Sequence, residues 1–202
     1  MIKDICMDLL YPRRCALCDA VVPFGGGLIC GKHKALPYVT GPLCMKCGKE
    51  VDTEEQELCY DCERHVRNFD RGFPVFNYEE PVKASVLAIK YHNKREYCDF
   101  YGREMAEKVR PYVGRYRMDG IAYDILIRKE YTSPQKTLDN IQRANNIKES
   151  MTIGRLYPGH NNILLIDDIY TTGVTIDVCA GLLRKAGAQH VYYSTVCVGK
   201  GR

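Results

Sequence analysis

Four short cysteine and histidine pairs stand at one spacing in the first third of the chain: Cys15-x2-Cys18, Cys30-x2-His33, Cys44-x2-Cys47 and Cys59-x2-Cys62. Two ligands three residues apart on a tight turn can share one ion, and zinc takes four Cys or His ligands in a tetrahedron. Four pairs therefore supply two zinc sites. His33 fills a ligand place in which a neutral imidazole nitrogen serves as well as a thiolate. The full ligand set leaves no open coordination position, so these are structural sites, not catalytic ones. Buried free cysteines would not repeat one spacing four times, and a redox Cys-x2-Cys would be a single pair beside a βαβ unit. The simplest grouping is sequential, with Cys15, Cys18, Cys30 and His33 at one ion and Cys44, Cys47, Cys59 and Cys62 at the other. Spacing alone leaves a crossed grouping open.

A second constellation lies near the other end of the chain. The aliphatic run Ile163–Ile166 opens on Asp167 and Asp168, and Thr171-Thr172-Gly173-Val174-Thr175 follows. Successive backbone N–H groups at such a turn, leading into a helix, make an anion-binding nest. Gly173 permits a backbone geometry that a side chain would obstruct, and the three threonines add hydroxyl donors. Two carboxylates beside a phosphate need something else to face, and sugar hydroxyls are suitable donors. A ribose 5-phosphate fits the combination. The blander reading is a strand ending in a Thr cap with two solvated acids. A Walker-type GxxxxGK and a dinucleotide GxGxxG are both absent.

These residues need scaffolding, and the sequence indicates what kind. Hydrophobic residues make up 46% and charged residues 27% of 202 residues, a globular composition. No apolar run approaches the length of a membrane span, and the first fifteen residues lack the pattern of an export signal. Seven of the eleven cysteines stand in metal-type pairs and not in a disulfide pattern, so the expectation is a cytoplasmic protein. Residues 1–70 are balanced toward acid, nine Lys/Arg against eleven Asp/Glu, whereas residues 71–160 carry sixteen against eleven. The basic stretch around Lys90, Lys94 and Arg95 is a candidate surface for single-stranded nucleic acid, with a solvated helix end as the alternative.

The metal-binding part is expected to span residues 1–70, with a short helix from Cys6 to Tyr11. From residue 71 the pattern becomes α/β. A strand is expected around Val75–Tyr78, a helix over Val82–Lys94, and a second helix over Asp99–Val113 ending near Pro111. Further strands are expected at Ala122–Ile127, Asn161–Asp168 and Val191–Gly199. Residues 137–151 read as part helix and part loop. A helix over Val174–Gln189, with Gly187 as its C-cap glycine, links the last two strands as a right-handed crossover in a parallel sheet. Cys179 and Cys197 read as core residues.

The run ILLIDDIYTTGVT resembles the phosphoribosyl-pyrophosphate (PRPP) binding motif of type I phosphoribosyltransferases. With paired cysteine knuckles ahead of it, the chain resembles the ComF family, in which a zinc ribbon precedes a phosphoribosyltransferase-like domain. VLAIKYHNK and the stretch containing Arg128, Thr132, Gln135, Leu138, Arg143 and Asn146 fit the same family. The resemblance implies a type I phosphoribosyltransferase-like parallel sheet flanked by helices over residues 71–202. It implies that Asp167 and Asp168 hold the ribose hydroxyls, that Thr171, Thr172, Gly173, Val174 and Thr175 hold the 5-phosphate, and that Mg2+ accompanies the pyrophosphate. It also implies a role in natural transformation, in uptake of single-stranded DNA alongside a helicase-like partner. One departure stands out. Between about Arg117 and Ile121 the chain lacks the block that in the family supplies the pyrophosphate loop and a central strand-helix unit. Three functions follow: a PRPP-binding protein of DNA uptake, a working phosphoribosyltransferase of nucleotide metabolism, or a non-enzymatic zinc module binding nucleic acid.

Overall fold

The computed structural model describes residues 11–33, 35–117, 126–128, 151–154, 159 and 161–199. The expected helix at Cys6–Tyr11 lies almost wholly outside them. So do most of the Ala122–Ile127 strand, residues 137–150, the position of the missing block, and Thr132, Gln135, Leu138, Arg143 and Asn146.

The chain is α/β. Its elements in order are α1 (Tyr60–Arg64), β1 (Arg71–Asn77), α2 (Val82–His92), a 3-10 turn (Arg95–Tyr97), α3 (Cys98–Val113), β2 (Leu126–Arg128), β3 (Met151–Ile153), β4 (Asn162–Tyr170), α4 (Val174–Lys185) and β5 (His190–Val198). Strands β1, β5 and β4 form a parallel sheet in that order, so the last of them in sequence is the central one. Strands β2 and β3 make a separate antiparallel pair, Leu126 opposite Ile153.

Several boundaries differ from the sequence expectation, each for a reason of pairing or packing. β1 starts at Arg71 because it is in register with β5 from the Arg71–Tyr192 pair onward. β4 runs on to Tyr170, which pairs with Val198 and accepts a 2.8 Å bond from the Gly199 N–H. The two acids thus lie within the strand and not at its end. Ile163–Ile166 is a buried strand only at Ile163; Leu164 and Leu165 are half-buried and Ile166 is 62% exposed. β4 is at the edge of the described sheet, which explains the difference. α2 stops at His92 with Asn93 as a left-handed cap at φ 55°, a position Asn tolerates. α3 passes through Pro111. Its last turn is held by Tyr112 against Phe73 (centroids 4.5 Å) and by Tyr116, just beyond, stacked on Tyr192 (4.4 Å). α4 ends at Lys185, and Gly187 at φ +106° turns the chain toward β5.

The knuckle segment is built into this sheet. Val39 N–H donates to Val75 O (2.9 Å), Asn77 N–H to Pro37 O (2.7 Å) and Gly72 N–H to Lys46 O (2.9 Å). These bonds occupy the outer edge of β1, which would otherwise offer unpaired backbone groups. The same edge position accommodates Pro74, which has no N–H to give. One apolar core joins Cys44, Cys47, Cys59 and Cys62 to Phe69, Tyr170, Ile176, Leu183, Val191 and Tyr193. A second joins Cys15, Ala16, Leu17 and Val22 to Phe76, Val82, Val86, Phe100 and Tyr101. The buried Tyr193 hydroxyl of central strand β5 donates to Cys47 O at 2.7 Å, and Ser85 of α2 donates to Ala16 O.

Candidate metal centres and a candidate sugar-phosphate site

The knuckle turns bring the eight expected ligands into two groups. Cys15, Cys18, Cys30 and His33 form one; Cys44, Cys47, Cys59 and Cys62 form the other. In each, all four ligand atoms lie within 4.8 Å of one another. The grouping is sequential. Cys18 and Cys30 sulfurs are 3.7 Å apart, and Cys47 and Cys59 sulfurs 3.5 Å. A zinc tetrahedron with bonds of ~2.3 Å has edges of ~3.8 Å, so these separations fit one ion per group. They are far too long for a disulfide, whose sulfurs are ~2.05 Å apart. The Nε2 of His33 is buried with no hydrogen-bond partner, as a nitrogen kept for a metal would be. Backbone N–H groups point at sulfur, Cys30 N–H to Cys15 Sγ (3.2 Å) and Cys47 N–H to Cys44 Sγ (3.5 Å), an arrangement that favours thiolate. The groups differ in setting. All four members of the second are buried, whereas Cys18 of the first is exposed. Two structural zinc ions fit this donor set.

The Thr171–Thr175 loop lines a cavity open to solvent, together with Asp167, Ile169, Tyr170 and Ile176. Gly173 is at φ +77°, and a Cβ there would come within 2.3 Å of the Tyr170 hydroxyl. Both the backbone angle and the ring of Tyr170 beneath it require glycine. Among the described residues, the N–H groups of Thr172, Gly173 and Val174 have no hydrogen-bond partner. They sit at the start of the twelve-residue helix α4, where donors and the helix dipole favour an anion.

The two acids go different ways, as neighbours on a strand must. Asp167 lines the cavity. Burial pushes its carboxyl above the usual range; the bond it accepts from Asp168 N–H (2.9 Å) pulls the other way, the Asp168 charge adds to the rise and Lys90 offsets it. Asp168 is not part of the lining. It turns to α2, where Lys90 Nζ lies 2.6 Å from its Oδ2. Thus Asp167, Thr171, Thr172, Gly173, Val174 and Thr175 come together, while Asp168 is held beside them as half of an ion pair. Arg128 is described only as backbone in β2. Cys179 and Cys197 are buried, which pushes their thiols up to about 11 and about 12 and keeps them neutral. Of the candidate nucleic-acid cations, Lys90 is paired with Asp168, and Lys94 with Asp19 (2.9 Å) and Glu96 (3.7 Å). No helix among the described residues is long and apolar enough to cross a membrane.

Comparison with known proteins agrees with this geometry. Residues 6–63 match the double zinc ribbon domain family. Competence protein F of Haemophilus influenzae is similar to this chain, 22% identical over 203 residues covering 82% of the chain and 87% of the relative. Together the two matches support a ComF-family protein. No solved structure matches. Sequence spacing picked out the eight ligands and the loop, and the structure decides how the ligands group. Spacing missed the Lys90–Asp168 pair and the docking of the knuckles on the sheet, for which no local signal exists.

Proposed function

We propose that this ComF-family protein binds PRPP at the Thr171–Thr175 loop and acts in a competence process, the role that the name of its Haemophilus relative carries. The observation that carries the reading is the cavity lined by Asp167 and by three residues whose backbone N–H groups have no partner among the described residues. The N–H groups and threonine hydroxyls suit the 5-phosphate. Asp167, half-buried and accepting one backbone bond, has acceptor capacity left for ribose hydroxyls. Lys90 cancels the charge of Asp168, which lowers the repulsion an anionic ligand would meet. Mg2+ would enter with the pyrophosphate, as a hard cation with oxygen ligands. Residues 1–70 would form the zinc ribbon and 71–202 the phosphoribosyltransferase-like domain, with zinc held by the two tetrads.

Catalysis in this fold relies on positioning and on stabilising an oxocarbenium-like charge, and among the described residues the site offers no base aimed at an acceptor. Pyrophosphate release with a panel of nucleobases distinguishes a working transferase. The competence reading extends to handling of single-stranded DNA with a helicase-like partner. For direct contact with DNA, Lys90 and Lys94 are already paired with carboxylates, while Arg95 is exposed.

Titration calorimetry with PRPP and Mg2+ tests the reading. Wild-type protein is expected to give a saturable heat that disappears in the Asp167→Ala/Asp168→Ala variant. No heat from the wild type would remove it.

A further inference from the structure

The segment that leaves the second knuckle, Arg67–Asp70, straps the junction between the loop and α4. Arg67 Nη2 donates to Thr172 O at 3.1 Å. Asn68 N–H donates to Asp177 Oδ1 at 2.6 Å, and Asn68 Nδ2 to Asp177 O. Asp177 in turn gives its own N–H to Gly173 O at 2.9 Å. Arg184 of α4 closes the strap through Asn68 O (3.0 Å) and Asp70 Oδ2 (2.7 Å).

The first of these bonds has a geometric result. In a trans peptide the C=O and the following N–H point in opposite directions. A guanidinium holding Thr172 O on one side therefore turns the Gly173 N–H to the other. Thr172 and Gly173 both line the cavity, and the Gly173 N–H has no partner among the described residues. Gly173, at φ +77°, has no side chain to restrain this peptide, so its orientation depends on the groups that bond it. Arg67 also brings a positive charge to the back of the loop.

We propose that Arg67, supplied by the chain after the second knuckle, is the positioning residue that aims the Thr172–Gly173 peptide at the bound anion. The proposal rests on the reading of the loop as a sugar-phosphate site. Anion affinity of the sheet would then depend on a residue contributed by the metal-binding module.

The test measures binding of ribose 5-phosphate and of PRPP with Mg2+ by calorimetry, for full-length wild type, R67M and R67K, with native mass spectrometry confirming two zinc ions in each. R67M, which keeps the aliphatic stem, is expected to lose about tenfold or more in affinity, the scale of a charged hydrogen bond. R67K is expected to recover part of that loss, which a purely space-filling role would not produce. Wild-type binding with R67M equal to it would overturn the role of Arg67 and leave the sugar-phosphate reading intact. Affinity lost equally in R67M and R67K, with zinc also lost, would overturn it in favour of general structural damage. No binding by the wild type would overturn both readings.

Discussion

Loss of the second tetrad should unfold the sheet, whereas loss of the first should not. Cys44, Cys47, Cys59 and Cys62 are all buried and belong to the same apolar core as Tyr170, Ile176 and Tyr193. Phe69 packs edge-on against Tyr193 with centroids 4.9 Å apart, and the Tyr193 hydroxyl bonds Cys47 O. A structural zinc supplies ~10–16 kcal/mol in isolated fingers, and a whole domain is stable by only ~5–15 kcal/mol. Removing that ion therefore takes away as much free energy as the fold has in hand. Apolar surface of β5 would also be exposed as the knuckle opens. The first tetrad shares an apolar core with α2 through Cys15, but it has an exposed member, Cys18, and its polar tie to the segment just after α2, the Lys94–Asp19 pair, is solvent-screened. The assay is near-UV circular dichroism, a tyrosine signal in a chain with 15 tyrosines and no tryptophan, read alongside zinc content. Cys62→Ser is expected to lose the near-UV spectrum and the cooperative melt together. Cys18→Ser is expected to keep the spectrum with a lower melting midpoint. A Cys62→Ser protein that has lost one zinc yet keeps its near-UV spectrum and melt would refute the shared-core reasoning.

Two further outcomes are expected. Asp167→Asn should raise the melting midpoint at neutral pH while weakening PRPP binding. Burial raises the Asp167 pKa above its unfolded value near 3.8, so the native state pays in stability as pH climbs through the raised pKa, and the Asn gain should vanish below that window; thermal melts from pH 3 to 8 check this. Gly173→Ala should cost about 1–2 kcal/mol for the left-handed backbone alone, and more for the contact with Tyr170. In thermal melts of a chain this size each kcal/mol moves the midpoint by roughly 2–4 °C, and calorimetry should show PRPP binding lost as well.

The parts of the site that were legible in the sequence are those written locally. Ligand pairs three residues apart announce a metal whatever the rest of the chain does. Five consecutive residues, Thr171–Thr175, carry their own turn and helix start. What stayed hidden depends on long-range pairing. Arg67 reaches Thr172 across 105 positions, and nothing near either residue foretells it. In the sequence Lys90 is a candidate nucleic-acid contact or a solvated helix end; only the fold shows Asp168 of β4 beside it. The sequence reads the acid pair as one clasp because it places both at the end of the strand. Two more residues of pairing with β5 place the acids on opposite faces. The exposure of Ile166 was equally invisible, since four aliphatics in a row say that a strand exists but not how many neighbours it has.

The strand order has a bearing on how the molecule is made. Because β5 slots between β1 and β4, neither outer strand finds its parallel mate until ribosomal synthesis has passed Val198. The knuckles can take up metal well before then, so a growing chain would carry a finished anchor and two waiting strands. An interruption of translation just short of β5 would leave a metal-loaded fragment with no sheet, its aliphatic strands open to chaperones or to each other.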